Sequence, residues 1–266
     1  MMRAISREKK EISKIVTIEK IDIIISDNRF GVFSKKTHNV FITHQINLSI
    51  PISLFQHVGN WINRKMIQRF DECWIPDFEE YPNLSGKLSH GKIKFNKTTD
   101  ETLIKYIGSI SRMKKIKNEI KRKVIIILSG PEPQRTFLEE KILEQASELS
   151  FQFLLVKGQT EKQEHFYFKK NIEVISFLTS KKLNQAIAES EIIISRSGYT
   201  TLMDLVSLEK KAILIPTPGQ TEQEYLAHHF LEQKIFFCTP QKNFNLKNAL
   251  TKVETFSGFQ SPIFEK

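Results

Sequence analysis

Between Ile192 and Phe230 the chain passes twice from a short apolar run into a helical pattern, and few folds accept that alternation. Ile192-Ile193-Ile194 ends in Ser195-Arg196-Ser197-Gly198, and a helical pattern opens at Tyr199-Thr200-Thr201 with Asp204 in its second turn. A second apolar run, residues 212–215, closes on Pro216-Thr217-Pro218-Gly219-Gln220 and leads into a Glu/Gln-rich helix over residues 221–233. A short continuous apolar run reads as a strand buried on both faces, and strands alternating with helices form a parallel α/β sheet. The strand, glycine turn and helix also carry chemistry. The start of the helix presents unpaired N–H groups and the positive end of its dipole, which favour an anion by about 0.3–1 kcal/mol, and by ~2 kcal/mol where partly buried. Asp204, one turn in, is placed to accept hydrogen bonds from a ribose diol, as acids do in other nucleotide folds.

Each of these residues also has a plainer reading. Gly198 permits a tight turn, Thr200 and Thr201 cap the helix, Asp204 is a solvated acid favoured by the dipole, and Gln223 with Glu224 forms a polar helix face. Only the joint spacing favours the nucleotide reading.

The same alternation runs along the rest of the chain. Residues 3–20 read as a polar helix. Strands are predicted at 21–26, 39–43 and 72–75, the first of them buried, with a helix over 53–70 that carries Leu54, Val58, Trp61, Ile62 and Met66 at helical spacing. Residues 81–96 are rich in turn formers and read as loop. The charge cluster Lys121-Arg122-Lys123 gives way to Val124-Ile125-Ile126-Ile127-Leu128, which places a domain boundary at 122/123. Further strands follow at 151–156, 173–176, 191–195, 211–215 and 235–237, enough for a complete Rossmann-like domain.

Composition narrows the setting. No run approaches the ~20 apolar residues that span a bilayer, and the first twenty residues are too charged for a signal peptide. Cys73 and Cys238 match no metal or disulfide spacing, which points to a cytoplasmic protein. Residues 1–123 hold 24 Lys and Arg against 13 Asp and Glu, from totals of 40 and 30, so the whole positive excess lies in the first half. That excess is either a solvated basic surface or an attraction to something anionic: a phospholipid surface, a pyrophosphate-linked lipid or nucleic acid. Nucleic acid is not expected, because no recognised motif is present and the basic residues lack interleaved aromatics.

The stretch over 192–230 resembles the donor half of the GT-B glycosyltransferases, and most closely the MurG-type family with its C-terminal family 28 domain. The residues that carry the resemblance are Arg196, Ser197, Gly198, Thr201, Asp204, Pro216 and Gln223. It implies a complete C-terminal Rossmann-like donor domain over 123–266, preceded by a partial Rossmann-like acceptor domain over 1–122. It also implies inverting, metal-independent transfer of a hexosyl or N-acetylhexosaminyl group from a UDP-sugar to a lipid-linked or other acceptor, with no cofactor, on a cytoplasmic protein peripheral to the membrane. By the same resemblance Leu178 meets the uracil through its backbone, Thr200, Thr201 and Asp204 meet the diphosphate and ribose, and Gln220, Gln223 and Glu224 face the sugar. Arg196 either faces the diphosphate or pairs with a structural carboxylate.

The sequence departs from the family in three places. Asp204 is one methylene shorter than the usual Glu, and residues 129–133 carry two prolines where the family has Gly-Gly-Ser. Nothing before residue 21 resembles the glycine-rich, His-bearing loop that opens the family's acceptor domain, so the expectation is a chain starting partway through that domain, with a partner chain as one source of the rest. His44 and Asp27, both at predicted strand ends, are the candidates for the general base. A binding-only fragment and a UDP-sugar 2-epimerase-like enzyme are the alternatives.

Overall fold

The computed structural model describes residues 2–49, 53–90, 104–161 and 163–260. The chain divides into two compact units, Met1–Ile110 and Ser111–Lys266. Residues 111–121 are thus part of the second unit, where Lys114 N–H donates to Asn184 Oδ1 (2.8 Å) and Lys121 N–H to the Glu189 carbonyl (2.9 Å).

The first unit is a four-stranded parallel sheet in the order β1 (Ile23–Asp27), β2 (His38–Ile42), β3 (Glu72–Ile75), β4 (Ile104–Tyr106), with helices α1 (Met2–Glu19) and α2 (Ser53–Ile67). One sheet face packs Phe41, Cys73 and Ile75 with Ile46, Ile67 and Phe70, where Phe41 and Phe70 lie with ring centroids 4.8 Å apart. Two expectations change. The strand at 21–26 is an edge strand rather than a buried one, and Ile23 and Ile25 on its open face are 58% and 54% exposed. The apolar stripe of α2 also turns outward: Val58 and Trp61 are each 54% exposed, while Asn63 and Ile67 face the core. Helical periodicity identifies an apolar face without saying which side of the helix the core lies on.

The second unit is a seven-stranded sheet in the order β11-β10-β9-β5-β6-β8-β7. The strands are β5 (Arg122–Ile127), β6 (Phe153–Val156), β7 (His165–Lys169), β8 (Ile172–Ile175), β9 (Ser190–Ser195), β10 (Lys211–Leu214) and β11 (Phe237–Cys238). All pairs are parallel except β7 with β8, an edge hairpin that the sequence pattern did not reveal because all five residues of β7 are exposed. The helices are α3 (Gln134–Ala146), α4 (Ser180–Ala188), α5 (Tyr199–Leu208), α6 (Thr221–Glu232) and α7 (Leu246–Lys252). Val124, Ile126, Leu155, Ile194 and Ile213 pack one sheet face against Leu138 and Ile142 of α3 and Leu246 and Ala249 of α7. Ile125, Ile193 and Leu214, pointing the other way, are equally buried, as a doubly covered parallel sheet requires.

The parallel strands of this sheet wind in two directions. From β5 the chain proceeds to β6 and β8 on one side, then returns to β9, β10 and β11 on the other. The carboxyl ends of β5 and β9 therefore flank the point where the winding reverses, which is where α/β sheets of this kind open a crevice for ligands.

Candidate functional site

At that crevice the loop after β9 runs through Arg196 and Ser197 to Gly198, the N-cap of α5. Gly198 has φ −73°, which any residue adopts, so the turn itself does not require glycine. A Cβ added there would meet nothing within 4 Å. As a glycine, Gly198 brings no side chain to cap α5, and Thr200 and Thr201 in its first turn are exposed and half-buried. The helix therefore begins beside open space at Gly198, where an anion can approach its first turn.

The neighbouring helix start is different. Glu132, in the loop after β5, accepts from Thr136 N–H (3.2 Å) and the Thr136 hydroxyl (2.8 Å), and pairs with Arg135 (2.6 Å). Its carboxylate already sits at the first turn of α3, where a phosphate would meet like charge.

Arg196 is 2% exposed and reaches across the crevice floor. Its guanidinium donates to the carbonyls of Ile215 (3.2 Å), Pro216 (3.2 Å) and Gln134 (2.8 Å), tying together the loops after β9 and β10 and the start of α3. Among the described residues no carboxylate pairs with it, so of the two sequence-based roles the structural-carboxylate pairing is absent. Burial pushes its pKa down to about 10, still far above neutrality, which leaves a buried cation balanced only by dipoles. Four polar atoms near the carboxyl ends of β9 and β10 are buried without a hydrogen-bond partner among the described residues: Ser195 Oγ, Arg196 Nε, Thr217 Oγ1 and Gln241 Oε1. Buried groups of this kind are uncommon.

The loop after β10 is ordered by the residues expected to face a sugar. Gln223 Oε1 accepts from Thr217 N–H (2.9 Å), its Nε2 donates to Gln220 Oε1 (2.5 Å), and Ser197 Oγ donates to the Gln223 carbonyl (2.8 Å). Glu224 Oε1 accepts from Gly219 N–H (3.0 Å). Gln220, Gln223 and Ser197 are thereby brought together, and Glu224 lies one residue further along α6 with its carboxylate on the same loop. Leu178 stands apart, at the carboxyl end of β8, lining a cleft of about 620 Å³ with Ser176, Phe177, Thr179 and Lys182. Asp204 is half-buried; burial raises its pKa, and a 2.6 Å hydrogen bond from Ser111 Oγ together with the charge of Arg112 opposes that rise.

In the first unit Asp27 ends β1, exposed, and His44 lies two residues beyond β2, half-buried; both are at the carboxyl edge of the sheet. A second histidine of the first unit is firmly held: His90 Nε2 lies 3.1 Å from Oδ2 of Asp77, a fully buried carboxylate just past β3, and its ring stacks on Tyr106 at 4.8 Å. Thirteen positions separate the two, and no local motif announces the pair. Burial pushes the Cys73 thiol up to about 12 and raises that of Cys238 as well, so neither is a nucleophile. Among the described residues no group of three or more His, Cys, Asp or Glu could hold a metal ion, and no helix is long and apolar enough to cross a membrane.

Two parallel α/β units, the second wound as a nucleotide-binding sheet with an open helix start at its switch point, define a GT-B-like fold. The chain belongs to the glycosyltransferase family 28: the model of the family's C-terminal domain matches residues 124–261, just over half of the chain. It is 24% identical over 190 residues to the UDP-N-acetylglucosamine–N-acetylmuramyl-(pentapeptide) pyrophosphoryl-undecaprenol N-acetylglucosamine transferase of Natranaerobius thermophilus, covering 65% of this chain and 50% of that protein. The chain spans about half the length of the curated relatives it matches. Among solved structures it is similar to MurG of Acinetobacter baumannii, with a TM-score of 0.59 at 10% identity over 95% of this chain and 71% of that one. It is also similar to the UDP-GlcNAc 2-epimerase of Methanocaldococcus jannaschii, with a TM-score of 0.56 at 14% identity over 95% and 74% of the two chains.

Proposed function

We propose that the second unit binds a UDP-sugar and serves as the donor half of an inverting, metal-independent glycosyltransferase acting on a lipid-linked acceptor. The observation that carries this reading is the open space before α5 at the switch point, at a glycine that neither backbone conformation nor packing requires. A diphosphate seated there meets the N–H groups at the start of α5, with the buried charge of Arg196 beneath the loop. Asp204 takes the ribose and the Leu178 backbone the uracil, while the Gln220–Gln223–Glu224 loop meets the sugar.

In the transfer step an acceptor hydroxyl attacks the anomeric carbon from the face opposite UDP. Its proton passes to a base of the first unit, His44 or Asp27, as the bond from the anomeric carbon to the diphosphate oxygen breaks. The negative charge that UDP gains is stabilised by fixed dipoles and Arg196. No Asp-x-Asp occurs in the sequence, so a carboxylate-held metal is not invoked, and no cofactor is required.

The first unit is read as part of an acceptor domain. Exposed Ile23 and Ile25 on the open edge strand fit a further segment, upstream or on a partner chain, packing there. The outward stripe of Phe55, Val58 and Trp61, with the Lys65 ammonium 4.0 Å from the Trp61 ring, fits a cytoplasmic protein resting on an anionic membrane face.

Product analysis separates transfer from epimerisation, the alternative that structural likeness keeps in view. With UDP-N-acetylglucosamine and a membrane lipid extract, the expected result is free UDP together with a glycosylated lipid. An isomeric UDP-sugar formed without release of UDP would overturn the transfer reading.

A further inference from the structure

We infer that Ser111 is a positioning residue for nucleotide binding: its hydroxyl holds the Asp204 carboxylate so that one oxygen is presented to the ribose. The inference rests on the donor-site reading above and adds a residue from outside the helix–loop stretch that the sequence singles out.

Ser111 opens a short strap, residues 111–115, that lies across α4 and α5. Three contacts pin it. Ser111 Oγ donates to Asp204 Oδ1 at 2.6 Å. Asn184 of α4 clasps Lys114 in both directions, accepting from its N–H (2.8 Å) and donating to its carbonyl (3.0 Å). Lys115 pairs with Glu209 just beyond the end of α5. The strap's own backbone sets the hydroxyl: Met113 N–H donates to Ser111 Oγ at 2.9 Å, and the Met113 side chain is buried. With that N–H directed at its oxygen, the hydroxyl keeps its proton for Asp204. Ser111 Oγ is therefore not a rotor free to follow a ligand but a fixed donor aimed at one carboxylate oxygen.

The consequence for Asp204 is geometric. An Asp on a helix has a short side chain with a broad terminal torsion, so without a partner its two oxygens sweep a wide arc. The Ser111 bond fixes that torsion and leaves Oδ2 as the oxygen that receives a ribose hydroxyl. It also favours the charged form of an acid that burial disfavours, with the Arg112 charge acting in the same sense. A hydrogen bond from ribose to an ionised, preset carboxylate is stronger than one to a mobile acid.

A purely mechanical alternative is that Ser111 only ties the strap down. The two roles separate by comparing UDP with 2′,3′-dideoxyuridine diphosphate, which lacks both ribose hydroxyls, in calorimetric titrations of the full chain. The wild type is expected to prefer UDP by about tenfold or more, the scale of one hydrogen bond to a charged group. Ser111→Ala is expected to shrink that preference to about threefold or less, leaving the dideoxy affinity unchanged, and Ser111→Thr is expected to restore it. In an Asp204→Ala background, Ser111→Ala should have no further effect on the preference. Equal weakening of both nucleotides in Ser111→Ala would reduce Ser111 to a strap anchor, and tighter UDP binding would make it a competitor for the carboxylate; either overturns the inference. An unchanged preference overturns it as well. Failure of the wild type to bind UDP is a different result, because it removes the donor site itself.

Discussion

Replacing Asp77 with Ala is expected to destabilise the first unit by about 3–5 kcal/mol, the cost of breaking a buried, fully partnered charge. Asp77 is completely buried and accepts five hydrogen bonds from the described residues. Oδ1 takes the N–H groups of Phe78 and Leu84, both at 2.7 Å. Oδ2 takes Ser85 N–H (2.8 Å), the Ser85 hydroxyl (2.5 Å) and His90 Nε2 (3.1 Å). One carboxylate thus organises the loop from β3 to His90, and its loss strands several backbone donors at ~1–3 kcal/mol each before relaxation. Urea denaturation followed by tryptophan fluorescence measures the effect on this unit alone, because both tryptophans of the chain, Trp61 and Trp74, lie in it.

The same group sets an acid limit. Burial would raise its pKa, but the hydrogen bonds from His90, Leu84 N–H and Ser85 outweigh that and hold it below the ordinary carboxylate value. A lowered folded-state pKa contributes stability above the unfolded value of ~4, which is lost as pH falls through the folded value. Wild-type stability should therefore fall below about pH 4, and less steeply in Asp77→Asn. A midpoint unchanged in Asp77→Ala would show that the loop holds itself without the carboxylate.

Arg196→Met is expected to act on both stability and binding. Met roughly fills the space and removes a costly buried cation, yet it leaves the carbonyls of Ile215, Pro216 and Gln134 without their donor. The balance is a loss of about 2–4 kcal/mol in the second unit, read from thermal unfolding by circular dichroism. UDP affinity should fall at least about tenfold, since the loops after β9 and β10 lose their common anchor and the diphosphate loses a charge. Arg196→Lys should not restore it, because one ammonium cannot span the fork that reaches three carbonyls. Destabilisation with unchanged UDP affinity would assign Arg196 to architecture alone.

Much of the fold was legible because its physics is local. Continuous apolar runs at 124–128 and 192–194 read as strands covered on both faces, and they are. The β5-to-α3 turn and the β9-to-α5 turn were visible for the same reason. Facing was harder to read: Val58 and Trp61 sit at core-like spacing on α2 but point outward, and Ile23 and Ile25 belong to an edge. Which side of an element meets the core is decided by its neighbours in space. The site divides in the same way. Gly198, Thr201 and Asp204 share one loop–helix turn, and Gln223 stands on the next helix of the same stretch. Ser111 is 93 positions from Asp204, and Asp77 is thirteen from His90, so only folding brings those pairs together. Arg196 was visible as a residue but not as a contact, because its partners are backbone carbonyls, which no side-chain pattern encodes.

The most direct test of the donor-site account is UDP binding measured by calorimetry in EDTA, comparing the wild-type chain with Asp204→Ala. The account predicts binding without metal by the wild type and affinity at least about tenfold weaker in the variant. A folded wild type that does not bind UDP, or an Asp204→Ala variant that binds it equally well, would contradict it.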